Sequence, residues 1–226
     1  MKIFTTLGFL LSFQEKKYQM FLNVEKGYMY IQHAIRTQYE KEQCMPRIQP
    51  VEPHHAPQVS QEYVEAGKQM TGGEVINYFK QMSVSPASFK GYMDLSETLQ
   101  GGSLDRKLQE SIAVAVSDFN GCTYCLSVHS GLAEQEGLSE DEREQAQQFE
   151  SEDPKRAAAL HFVREVVESR GHPSDEVLDE VKEAGYTDEQ IMEMISNVAL
   201  NTLSDYMNET IETEVDVPVV ETTHSR

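Results

Sequence analysis

Cys122 and Cys125 stand three positions apart, and His129 follows four positions later. On a helix these positions share one face. The turn-forming pair Asn120-Gly121 comes immediately before, which places both cysteines in the first turn of the helix it opens. First-turn N–H groups lack intrahelical partners and the helix dipole is positive there, so the setting favours thiolate over thiol. A thiolate attacks a peroxide or a disulfide, and a second sulfur one turn away is placed to close a disulfide. Glu110 lies about ten residues before the Asn-Gly turn. If the helices on either side fold back antiparallel, Glu110 comes opposite a residue within about one turn of His129. A carboxylate there orients the imidazole and keeps it basic. The imidazole can then take a cysteine proton, directly or through water.

The same residues have blander readings. A Cys-x-x-Cys pair is also a metal motif, and structural zinc takes four ligands. Cys122, Cys125 and His129 supply three, and Cys44 is the remaining thiol, across a proline-rich stretch. A three-ligand zinc site with an open water position is the other form. His54 and His55 sit between prolines and read as exposed loop residues; His161 and His172 read as caps of helix ends; His33 and His224 fall in the terminal regions. None of these is assigned to a site, and neither a cofactor nor a metal is assigned.

Composition narrows the field. The chain has 226 residues with a net charge of −19, which disfavours nucleic acid and anionic membrane surfaces as partners. Three cysteines are too few, and odd in number, for a secreted disulfide framework, and a lone Cys-x-x-Cys suits a reducing compartment. The expectation is a cytoplasmic protein. Met1 to Leu11 is apolar, but it is too short to span a bilayer and no small-x-small cleavage site follows. Residues 1–44 hold six Lys/Arg against four Asp/Glu, whereas the whole chain is strongly acidic. The proline-rich segment from Met45 reads as a fresh start. Residues 1–44 are therefore expected to be an appendage, or an extension from an upstream start codon. The main domain is then 45–217, with a tail at 218–226.

From residue 60 the pattern is helical. Ser85-Pro86 opens a helix carrying Phe89, Tyr92, Met93 and Leu99. Ser103 is the expected cap of the next, with Leu104, Leu108, Ile112, Val116 and Phe119 on one face. Ser139-x-x-Glu142 and Thr187-x-x-Gln190 are capping boxes, Asp153-Pro154 opens another helix, and Ser174 starts a short one ending at Gly185. The last helix carries an apolar set of Ile191, Met194, Ile195, Val198, Leu203 and Tyr206, and Glu214 to Arg226 reads as extended or frayed. No strand run stands out, so the fold class is an all-α bundle.

Taken together, Glu110, the Asn-Gly turn, Cys122-Thr123-Tyr124-Cys125 and His129 resemble the alkylhydroperoxidase D-like branch of the carboxymuconolactone decarboxylase superfamily. The likeness spans roughly residues 46–217, from Met45-Pro46-Arg47-Ile48 to the helix ending Tyr206-Met207-Asn208, and Thr213 to Pro218 resembles a peroxidase-related subgroup. The resemblance implies a helical bundle of that type, assembled as a homo-oligomer, that reduces small hydroperoxides. Cys125 would attack the peroxide and pass through a sulfenic acid, Cys122 would donate a proton and close the disulfide, and His129 with Glu110 would relay protons. A dithiol, thioredoxin-like or lipoyl donor would re-reduce the pair. Some members carry a second histidine where Tyr124 stands here, and Asn201 and Tyr206 are pocket residues by the same analogy. Over the choice of attacking sulfur, helix-end position favours Cys122 and family precedent Cys125; precedent is followed. The alternative from a different class is a redox-responsive or zinc-binding structural protein without turnover.

Overall fold

A computed structural model describes residues 46–70 and 73–224. The expectations for residues 1–44, including Cys44 and His33, lie outside the described residues. Among the described residues there are nine α-helices and no strand. They are α1 (Gln58–Met70), α2 (Asn77–Met82), α3 (Pro86–Gln100), α4 (Arg106–Phe119), α5 (Thr123–Gln135), α6 (Glu140–Gln147), α7 (Pro154–Ser169), α8 (Asp175–Glu183) and α9 (Asp188–Ile211). The all-α class read from the sequence is the observed one.

The centre of the bundle is α4, which packs against α5, α6, α7 and α9. Every residue from Leu108 to Asp118 is buried, the polar ones included. A single apolar stripe was the expectation; instead α4 is enclosed on all sides. Its cap is also different. Asp105, not Ser103, accepts from the N–H of Leu108 at 2.9 Å, while Ser103 N–H is taken by the Glu193 carboxylate at 2.9 Å. A carboxylate from α9 thus occupies the donor that a serine cap would have left open.

The other boundaries follow the chemistry of their end residues. Ser85 caps α3 with Pro86 at its first position, Asp153 and Pro154 do the same for α7, and both capping boxes are closed. Such caps supply partners for N–H groups that the helix cannot satisfy itself. His161 lies within α7 and pairs with Glu180 at 3.0 Å, so it does not cap a helix end as expected.

Two further departures bear on the site. On α9, Ile191 and Met194 are buried, but Ile195, Leu203 and Tyr206 are exposed. In their place Asn197, Asn201, Ser204, Asp205 and Asn208 face inward. The tail is extended but not frayed. Asp216 accepts from the Asn77 N–H at 2.7 Å, Val220 N–H donates to Ser127 at 2.9 Å, and Thr223 donates to Asp118 through its N–H and its hydroxyl.

Candidate active site

The turn between α4 and α5 creates the site. Gly121 takes φ +70, a conformation that costs glycine little, and the Cys122 N–H then bonds the Ser117 carbonyl at 2.9 Å. This halts α4 and leaves Cys122 extended as the N-cap of α5. Its Sγ accepts the Cys125 N–H at 3.2 Å, so a sulfur does the work usually done by a serine or aspartate oxygen. The two Sγ atoms are 2.7 Å apart, and both cysteines are free thiols.

Each sulfur has a different outlook. Cys122 is completely buried, whereas Cys125 lines an open cleft of about 1000 Å³. Glu110, His129, Asn201, Ser204 and Asn208 line the same cleft; Tyr206 does not, and points outward. Glu110 Oε2 lies 2.9 Å from His129 Nδ1, so the antiparallel return inferred from spacing does bring the two together. Glu110 Oε1 accepts from Arg106 Nη2 at 2.7 Å. Both oxygens of a nearly buried carboxylate are therefore engaged, one by the guanidinium a turn earlier and one by the imidazole.

From the opposite side α9 supplies two groups that sequence reading overlooked. Asp205, completely buried, accepts from Ser117 Oγ at 2.9 Å and Asn120 Nδ2 at 2.8 Å. One of its oxygens lies within 4.8 Å of both sulfurs. Asn208 Nδ2 is 3.3 Å from Cys125 Sγ. Their i, i+3 spacing in the last turns of α9 was legible, but nothing local indicated that this face turns toward the cysteines.

Burial drives the Cys125 thiol well above its ordinary pKa, and the adjacent Cys122 and the Asp205 charge push the same way. The expected preference for thiolate at the helix end is therefore opposed at Cys125 by desolvation. Burial also raises Asp205, against the hydrogen bonds from Asn120, Cys125 and Ser117 that lower it. Burial holds the Tyr124 hydroxyl protonated, and it donates to Asp216 at 3.0 Å while accepting the Tyr78 N–H at 3.0 Å. Tyr124 thus fastens the tail beside the sulfur pair.

The set of donors weighed for zinc is not the one that converges. Among the described residues, the group whose ligand atoms approach one another is Cys122, Cys125 and Asp205. His129 faces Glu110 instead.

Residues 86–165, from α3 into α7, match the carboxymuconolactone decarboxylase family. The fold agrees with that match. An uncharacterized peroxidase-related protein from Ralstonia eutropha JMP134, described as an alkylhydroperoxidase AhpD core, superposes with a TM-score of 0.69 at 22% identity, covering 76% of this chain and 93% of that one. The chain thus carries a segment similar to the carboxymuconolactone decarboxylase family and shares the fold of the AhpD-like structures.

The likeness also reaches proteins of other names. The debrominase Bmp8, in complex with 2,3,4-tribromopyrrole, superposes with a TM-score of 0.63 at 21% identity, covering 74% of this chain and 90% of its own. The protein YdfG of Bacillus subtilis strain 168 is 26% identical over 125 residues, 53% of this chain and 82% of that protein. Structures that share this fold thus carry different names, so the likeness shows the scaffold and the reaction must be argued from the site.

Proposed function

We propose that this protein is a thiol-dependent peroxidase in which the Cys122–Cys125 dithiol reduces a small hydroperoxide to an alcohol and water. The observation that supports this most is a pair of thiols in contact, one of them lining a cleft beside a carboxylate-bound imidazole.

In this reading Cys125 attacks. It is the sulfur that reaches the cleft, so the choice made on precedent has support in the geometry. Glu110 fixes the proton of His129 on Nδ1, which leaves Nε2 as the atom that accepts the Cys125 proton, by way of water. The thiolate displaces alkoxide from the peroxide, the alkoxide takes that proton, and Cys125 becomes a sulfenic acid. Cys122 attacks the sulfenic sulfur, releasing water and leaving a disulfide. An external dithiol or thioredoxin-like donor supplies the two electrons that restore the pair. Exposed Met192, Leu203 and Tyr206 on α9 are compatible with assembly as a homo-oligomer. No described helix is long and apolar enough to cross a membrane.

A second reading has its own observation. Two buried thiols and a buried carboxylate within 4.8 Å are a donor set for a divalent ion. Both readings meet in one experiment: peroxide consumption by the native chain with a dithiol reductant, alongside elemental analysis of protein purified without chelator. The peroxidase reading expects turnover, lost in Cys125→Ser and in Cys122→Ser, with no stoichiometric metal. Bound zinc at one per chain and no turnover would establish the structural alternative.

A further inference from the structure

Asn208 is 3% exposed, lines the cleft, and holds a side-chain oxygen with no partner. Such an atom calls for an explanation, because a buried acceptor left unmade is unfavourable. Three side-chain atoms among the described residues are in this condition, on Gln81, Asn208 and Thr213, and of these residues Asn208 is the one that lines the cleft.

The orientation of the carboxamide is determined by its surroundings. Its nitrogen lies 3.1 Å from the Ser204 carbonyl, which can only accept, and 3.3 Å from Cys125 Sγ. Exchanging nitrogen and oxygen would set two acceptors against each other, so the unpartnered atom is Oδ1. Asn197 and Asn201 show the same habit, each donating 2.8 Å to the carbonyl one turn back. Cys125 is also 3% exposed, and it is in contact with Asn208, so a molecule that reaches the sulfur arrives at the carboxamide as well.

We propose that Asn208 Oδ1 accepts the O–H of the substrate, and that the site therefore selects hydroperoxides, whose attacked oxygen carries a proton, over oxidants without that donor. This rests on the peroxidase reading and names the feature of the substrate that the site recognises. One side chain then touches both reactants: Nδ2 contacts the sulfur and Oδ1 holds the oxygen to be attacked. As the S–O bond forms and the O–O bond breaks, the proton held by Oδ1 stays on the transferred oxygen and becomes that of the sulfenic acid. The alkoxide leaves with the electron pair of the O–O bond and takes the proton that Cys125 gave up. Asn208 is a positioning residue here and transfers no proton.

The test compares two oxidants on the pre-reduced full-length chain. One is tert-butyl hydroperoxide; the other is dipyridyl disulfide, which has no O–H. Rates of dithiol loss are measured by stopped flow for the native chain, Asn208→Ala and Asn208→Leu. Losing the Nδ2 contact to sulfur affects both oxidants alike, so the ratio of the two rates isolates Oδ1. Both variants are expected to lower the hydroperoxide rate, relative to the disulfide rate, by about ten-fold, the worth of one hydrogen bond. Either variant alone suffices if the other does not fold. An unchanged ratio with a native chain that does react with the hydroperoxide overturns this inference and leaves the peroxidase reading standing. A native chain that reacts with the disulfide but not with the hydroperoxide overturns both.

Discussion

Asp205 and Glu110 are both buried carboxylates, yet their neighbours give them opposite tasks. Glu110 shares its oxygens between Arg106 and His129, an arrangement that holds the imidazole in one tautomer. Glu110→Gln keeps the volume but removes the acceptor charge. Peroxide turnover is expected to fall by about one to two orders of magnitude with an unchanged circular dichroism spectrum, and the loss should shrink as rising pH forms the thiolate without the relay. A loss that is the same at every pH, or an altered spectrum, would show instead that the site had collapsed. Asp205 acts against the thiolate: its charge raises Cys125, together with burial and the contact to Cys122. Asp205→Asn removes that charge. The Cys125 titration should move to lower pH, seen as faster alkylation by iodoacetamide near neutrality. A profile unchanged or moved to higher pH would contradict the assigned sign. Of this arrangement the sequence showed the two sulfurs, the imidazole and Glu110, because all four lie within twenty residues across one turn. It did not show Asp205 or Asn208, which come from a helix some eighty residues later.

At the scale of helices, legibility followed whether the determining contacts are local. The capping boxes at Ser139 and Thr187 and the Asn120-Gly121 break are set by neighbours in sequence, and each is found where expected. The cap of α4 was misjudged because Ser103 is claimed by Glu193 from α9. The inward face of α9 was misread for a related reason. Its polar residues donate to backbone carbonyls one turn back or to the site, which lowers the cost of burying them, and apolar periodicity ceases to report the buried side. A close approach between α1 and α2 yields a prediction at this scale. A Cβ on Gly67 would lie 2.5 Å from Phe79 Cε2, and Phe79 is buried and stacked on Phe89. Replacing a helical glycine by alanine ordinarily stabilises by up to about 1 kcal/mol, whereas overpacking a core ring costs about 1–3 kcal/mol. The clash should win, and Gly67→Ala should lower the denaturant midpoint. A raised midpoint would mean that the ring yields without strain.

Over the whole molecule, the tail ties the site to the rest of the bundle. Asp118, completely buried at the end of α4, accepts from Gln147, from the N–H and hydroxyl of Thr223, and pairs with His224 at 2.7 Å. Val217, Pro218 and Val220 line the cleft on the way there. Truncation after Pro218 would leave the Asp118 carboxylate in place with most of its partners gone. Losing hydrogen bonds to a buried group costs about 1–3 kcal/mol, and equilibrium unfolding of the truncated chain should show a loss of that order. A loss under about 0.5 kcal/mol, the size of a surface change, would mean that the tail contributes nothing to the bundle. Sequence alone read these residues as extended or frayed, since the partner that fixes them lies about a hundred residues upstream. The direct test of the reaction itself is a single turnover. Reduced full-length protein receives one equivalent of hydroperoxide per chain, free thiols are then blocked, and the peptides are mapped by mass spectrometry. The expected result is loss of the thiols at Cys122 and Cys125, seen as one unblocked peptide that carries both residues and is lighter by two hydrogens than its dithiol form, with one equivalent of alcohol released. Intact thiols at both positions, or a bridge to Cys44 in place of the pair, would contradict it.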